Sequence, residues 1–117
     1  MVASTVVNRV LVSQQRPHWW GGTIMEVCLH PWQYSCWLAN DPNRPKLIAV
    51  TEADPIYAEC LEIARQAIAG QLVDQTKGAT SYLNVDLVMR TEGKLPTWAL
   101  PAYQTAVHLH HTFYEVR

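Results

Sequence analysis

Residues 30 to 37 read HPWQYSCW, and this stretch holds the densest set of groups that could do chemistry. It is aromatic enough for a core, yet His30, Gln33 and Ser35 bring hydrogen-bonding atoms that burial would have to satisfy. Those atoms are either paired inside the fold or turned toward a ligand. Just upstream, Glu26 in GTIMEVCLHPWQYSCW is the carboxylate with the most apolar neighbours. A carboxyl held against apolar side chains keeps its proton to higher pH, which a general acid beside a glycosidic oxygen requires. The plain alternative is a surface residue of a helix or strand. His108, His110 and His111, with His30 elsewhere, are potential metal ligands, and on a strand His108 and His110 would share one face. No HExxH or paired CxxC accompanies them, so one structural and two solvent-facing histidines is the competing reading. Cys36 lies among polar neighbours, but a nucleophilic thiolate needs an electropositive, partly exposed setting. The sequence has no glycine-rich phosphate loop and no basic run interleaved with aromatics.

Elements must hold these groups in place, and the clearest is DPIYAECLEIARQAIAG, residues 54 to 70. Asp54 can accept from first-turn amides, Pro55 suits the first helical position, and Gly70 can turn left-handed after the end. Ile56, Cys60, Ile63, Ala64, Ala67 and Ile68 recur at steps of three and four and predict the buried face, leaving Glu59, Glu62 and Arg65 to solvent. The first twelve residues are ambiguous. Val2, Val6, Val7, Val10 and Val12 favour strand as β-branched residues, while Val2, Val6 and Val10 also keep the four-residue step of a helix face. RPHWWGG and ANDPNRPK read as turn-rich connections, the second with Asp41-Pro42 and Arg44-Pro45 steps that disfavour continuing helix. Gly78 breaks the chain before a short extended run, KLPTWALP follows, and AVHLHHTFYEV has partial strand-like alternation.

With 117 residues the chain has room for one domain and one core. A hydrophobic content of 49%, a charged content of 16% and the absence of any run of roughly 18 apolar residues predict a soluble globular protein with no membrane insertion. The formal charge of -1 supplies no field for nucleic acid or an anionic membrane. Cys28, Cys36 and Cys60 are odd in number, lack zinc-site spacing and are expected to be mostly buried thiols. No signal peptide is legible, because Arg9 follows most of the apolar residues of MVASTVVNRVLV. Five tryptophans and five tyrosines against one phenylalanine suit core anchors and carbohydrate-stacking grooves alike.

Six segments in order resemble the SleB-type cell wall hydrolases, a family of spore-cortex-lytic and phage or bacterial peptidoglycan-cleaving enzymes. VASTVVNRV resembles the family's Val-Ala-x-Val-Val-x-Asn-Arg-Val helix, with Thr5 in place of one valine, and tips the first segment toward helix. TIMEVCLHPWQYSCW resembles a segment ending Gln-Phe-Ser-Cys-Trp. The capped helix through Gly70 is followed, as in the family, by Asp74, Thr76, GAT and an aromatic with Asn84; LPTWA and HTFY complete the order.

The resemblance implies one α+β domain over residues 1 to 117, compact and lysozyme-like or lytic-transglycosylase-like, mainly helical with a small β-element and a groove for the glycan strand. It implies cleavage between N-acetylmuramic acid and N-acetylglucosamine, without a cofactor, by a protein that acts on the cell wall. One Glu would protonate the leaving oxygen and then act as base while the muramic 6-hydroxyl closes on the anomeric carbon. Gln33, Tyr34 and Ser35 would line the groove, Cys36 and Trp37 would pack, and Tyr82, Asn84 and His111 would approach the same cleft. One departure stands out: the family's catalytic Glu belongs to a Glu-Ala-x-Gly-Glu motif placed before the VVNRV stretch, where Met1 directly precedes the helix. The expectation is that the coding frame upstream of Met1 carries this motif. The alternatives are that Glu26 has taken over, or that the chain binds glycan without cutting it. A metal-dependent amidase using the C-terminal histidines is the further alternative.

Overall fold

The computed structural model describes every residue except Trp32, Ser35, Trp37 and Arg117. The valine-rich start is a helix, α1 (Val2–Gln15). Its β-branched residues are weak helix formers, and tertiary packing overrides that preference. The buried face of α1 is mostly polar: Ser4, Thr5, Asn8 and Arg9 lie under the surface beside Val6 and Val12. A helix with this face must satisfy its polar atoms from neighbouring loops, and that requirement shapes the rest of the molecule.

A short helix α2 (Ile24–Leu29) follows the tryptophan pair. Thr23 accepts from the Glu26 amide, and the Glu26 carboxylate reaches back to the Gly22 amide at 2.8 Å, a capping-box arrangement one residue offset. Gly21 sits at φ +96° with Glu26 so close that a Cβ there would lie 2.6 Å from the Glu26 Cβ. Helix α3 (Arg44–Ala49) begins where the sequence reading placed only a turn. Pro45 falls in its first turn, where a missing N–H breaks no helical bond.

Helix α4 (Pro55–Ile68) starts as expected, with Asp54 accepting from the Ile56 and Tyr57 amides, and Gly70 after its end takes φ +71°. Its predicted buried face is not buried. No residue of α4 is fully covered; Ile56, Cys60, Ala64 and Ile68 are exposed, and the half-buried stripe is Tyr57, Leu61, Ile63, Gln66 and Ala67. The helix leans on α1, so only one strip of it meets the body. Cys60 is accordingly exposed and Cys28 and Cys36 are half-buried, so the thiols are more open than expected.

The extended run after Gly78 is β1 (Ser81–Leu83), followed by α5 (Val85–Glu92). The C-terminal alternation is a hairpin of β2 (Gln104–His108) and β3 (His111–Tyr114), entered through a 3-10 turn at Pro101–Tyr103. The three strands form an antiparallel sheet in the order β1-β3-β2, with Tyr82 opposite Phe113 and a bulge between Gln104 and Ala106. Five helices and this small sheet make an α+β fold among the described residues. No helix among them is long and apolar enough to cross a membrane.

The core is in two parts. Val6, Val12, Trp20 and Val27 form one cluster under α1 and α2, and Leu83, Ala99 and Tyr114 form another beneath the sheet. Polar bonds from α1 cross between them.

Candidate functional site

Arg9 is the principal crossing point. Only 6% exposed, it donates from Nε to the Thr80 carbonyl at 2.6 Å, from one terminal nitrogen to Gln33 Oε1 at 3.2 Å and from the other to Ser81 Oγ at 3.3 Å. Its guanidinium carbon also lies 5.1 Å from the Trp20 ring centre, 5.7 Å from that of Tyr34 and 5.9 Å from that of Trp19. Aromatic faces stabilise a cation without supplying a counter-charge, which suits a charge taken out of water. Burial pulls the Arg9 pKa below its ordinary value, and its nearest tyrosines act in the opposite direction. Its hydrogen-bond partners are a carbonyl, a carboxamide and a hydroxyl, none of them charged.

Around this cation opens a cleft of about 470 Å³ at the seam of the two core clusters. Trp20 and Tyr34 line it from the first cluster, Trp98 and Val116 from the second, and Gln33, Ser81 and Tyr82 complete its polar wall with Arg9 and Trp19. Three residues proposed from sequence, Gln33, Tyr34 and Tyr82, therefore meet here. Ser35 lies outside the described residues. The question raised by HPWQYSCW has a divided answer. The Gln33 oxygen is held by Arg9, which orients the carboxamide so that its NH2 is the end left for a ligand. The Tyr34 hydroxyl is within 3.1 Å of Thr5 Oγ1, whose own hydrogen goes to the Val2 carbonyl at 2.6 Å, so Tyr34 donates. Burial pushes the Tyr34 hydroxyl up, with the Thr5 bond and Arg9 opposing. Burial likewise raises Tyr82.

The other sequence candidates sit elsewhere. Asn84 is the N-cap of α5 and accepts from the Leu87 amide at 3.0 Å. His111 stands at the end of β3 with its ring edge-to-face on Tyr82, 5.1 Å between centres, so it backs the Tyr82 ring without lining the cleft. His108 and His110 do not share a strand face: β2 ends at His108, and Leu109 at φ +53° starts the turn that carries His110. No group of three or more His, Cys, Asp or Glu among the described residues is placed to hold a metal. Glu26 is exposed, not enclosed by apolar side chains, and one of its oxygens caps α2. It lines a separate groove that shares Trp19 and Trp20 with the cleft. No carboxylate is among the described residues lining the cleft itself.

A family model described as Cell Wall Hydrolase matches residues 1–114, nearly the whole chain. The chain belongs to the Cell Wall Hydrolase family. Comparison with curated proteins and with solved structures found no match.

Other residues of this Cell Wall Hydrolase that carry the resemblance hold the loop behind the cleft rather than lining it. Asn8 donates to the Ala79 carbonyl at 2.8 Å, to Asp74 at 3.1 Å and to Thr76 at 3.4 Å. Asp74 in turn accepts from the Thr76 amide and hydroxyl and from the Gly78 amide. Burial alone would raise the Asp74 carboxyl, but these bonds together outweigh it and hold its pKa below the usual value. Thr80 ties this loop to Val116, which lines the cleft, its hydroxyl donating to the Val116 carbonyl and accepting from the Val116 amide. Arg9, Trp19, Trp20, Ser81, Trp98 and Val116 line the cleft without having been singled out from sequence. The signals available for them were the Asn-Arg pair on α1 and the tryptophan-rich composition, neither of which says which rings meet.

Proposed function

We propose that this Cell Wall Hydrolase binds the glycan strand of peptidoglycan in the Arg9–Gln33–Tyr82 cleft and serves cleavage of the N-acetylmuramic acid–N-acetylglucosamine bond as a lytic transglycosylase or muramidase. The observation that carries the reading is the lining: tryptophan and tyrosine rings beside an oriented carboxamide and a buried cation. Sugar rings have apolar faces and polar edges, and a cleft of this make-up offers a surface to each.

Cleavage also needs a proton donor at the scissile oxygen. The family resemblance gives that role to a Glu-Ala-x-Gly-Glu motif, and none of the cleft's described lining residues is a carboxylate. Glu26 is the carboxylate of the adjoining groove, and Glu26→Gln tests its part. This same lining favours a second reading, a binding module of the same fold that does not cut. The amidase reading draws no support from the C-terminal histidines: the hairpin sets His108 opposite His111, but no third His, Cys, Asp or Glu among the described residues joins them to hold a metal.

The experiment is incubation of the 117-residue chain with purified peptidoglycan, measuring retention on the polymer and released fragments together. Retention is expected, with turnover at least about 10²-fold below that of a chain supplied with the general acid. Any product should end in anhydromuramic acid if the chain is a lytic transglycosylase or in reducing muramic acid if it is a muramidase, and be unchanged by Glu26→Gln. Free stem peptides would overturn the glycan-cleaving reading, and lack of retention would overturn the cleft's role.

A further inference from the structure

We propose that the groove formed by Trp19, Trp20, Met25, Glu26, Leu29 and His30 is a second sugar subsite, receiving the unit of an N-acetylated glycan next to the one in the Arg9 cleft. The inference rests on the glycan reading of that cleft and adds where the polymer goes on leaving it.

The groove is a shallow, open depression of about 460 Å³, close in volume to the cleft, and the two share Trp19 and Trp20. A ligand made of repeating units is the kind that uses two adjoining sites of equal size. The groove's lining is exposed and apolar, with Trp19 61%, Met25 72% and Leu29 54% accessible. These side chains crowd one face of a six-residue helix and its leading turn. Two polar groups stand among them. Glu26 gives one carboxylate oxygen to the Gly22 amide, leaving the other for a hydroxyl, and His30 meets the Trp19 ring edge-to-face at 5.1 Å. An aromatic plane, an apolar floor for an acetamido methyl and one acceptor for a hydroxyl are the complement of a single N-acetylated ring. A protein partner of ordinary affinity needs roughly 800 Å² per side, far more than a pocket for one ring. The groove is also built to keep its shape: Gly21 permits the close approach of the tryptophan turn to Glu26, and Trp20 is pinned by bonds to the Arg9 carbonyl and Ser13 hydroxyl.

The test is titration of the full chain with N-acetylglucosamine and with its β-1,4-linked dimer, for the wild type and for Met25→Ser/Leu29→Ser. Both substituted residues are exposed and neither lines the Arg9 cleft, so the first cleft is kept. The wild type should bind the dimer about tenfold or more tightly than the monomer, and the double variant should lose that gain while keeping its monomer affinity. Equal affinity of the wild type for both lengths, or a gain that survives in the variant, overturns the subsite while leaving the first cleft standing. Binding of neither sugar overturns both readings. Concentration-dependent self-association that the double variant abolishes, without a length-dependent gain, assigns the groove to a second copy of the chain and also overturns the subsite.

Discussion

At the scale of single residues, the account turns on which end of Gln33 is free. Arg9 donates to its oxygen, so the amide NH2 is the ligand-facing donor. Gln33→Glu keeps an acceptor for Arg9 and adds a charge-assisted bond, but removes that donor. The variant should fold with unchanged or slightly higher thermal stability and bind glycan about tenfold more weakly, the cost of one hydrogen bond, by titration. Unchanged affinity would show that the donor is unused. A second pair records how the chain departs from its family. Thr5 replaces a valine and Tyr34 a phenylalanine of the resembled pattern, and these two residues are bonded to each other at 3.1 Å. The departures are therefore coupled. A double-mutant cycle of Thr5→Val and Tyr34→Phe in chemical denaturation should give a coupling energy of about 0.5–1.5 kcal/mol, with the double variant more stable than the sum of the single losses implies. Additive losses would refute the coupling.

Among the elements, α1 and the Asp74–Thr80 loop act as one unit. Asn8 and Arg9 reach into the loop with side-chain bonds, and Asp74 gathers its amides. Because the folded Asp74 carboxyl ionises below its usual value, its contribution is fully present above the unfolded pKa of about 3.9 and is lost as pH falls through the lower folded pKa. The Asp74 side of the molecule is exposed, so the effect is modest. Melting curves from pH 6 down to pH 3 should show the wild type losing more stability than Asp74→Asn, which starts lower at neutral pH by about 1–2 kcal/mol. Parallel curves would mean that Asp74 titrates alike in both states.

How far the sequence disclosed these elements follows from what each depends on. The ends of α4 were legible because Asp54, Pro55 and Gly70 act within a few residues. Its buried face was not, since periodicity shows that a helix has an apolar side and cannot show how much of that side a neighbour covers. The valines of α1 left helix and strand in balance until the resemblance decided it. The histidine pair failed as a shared face because the turn at Leu109 lies between them. In the cleft, Gln33, Tyr34 and Tyr82 were readable as motif positions. Arg9 and Trp98 also fall within motifs, but their place in the cleft, like that of Trp19 and Trp20, was not readable, because their meeting depends on contacts between segments far apart in sequence.

For the whole molecule, the site exists because the core is divided. Two apolar clusters meet along a line where α1 offers polar atoms, and the cleft opens at that line with rings from both sides. The central claim is that this seam holds a sugar strand. The most direct measurement is a nuclear magnetic resonance titration of the labelled chain with a soluble N-acetylglucosamine–N-acetylmuramic acid oligomer. If the seam does hold the strand, the shifts concentrate at the Gln33 side-chain amide, the Arg9 Nε–H and the Trp19, Trp20 and Trp98 indole N–H groups. Saturating shifts that leave these signals unmoved, or no shifts at all, would contradict that claim.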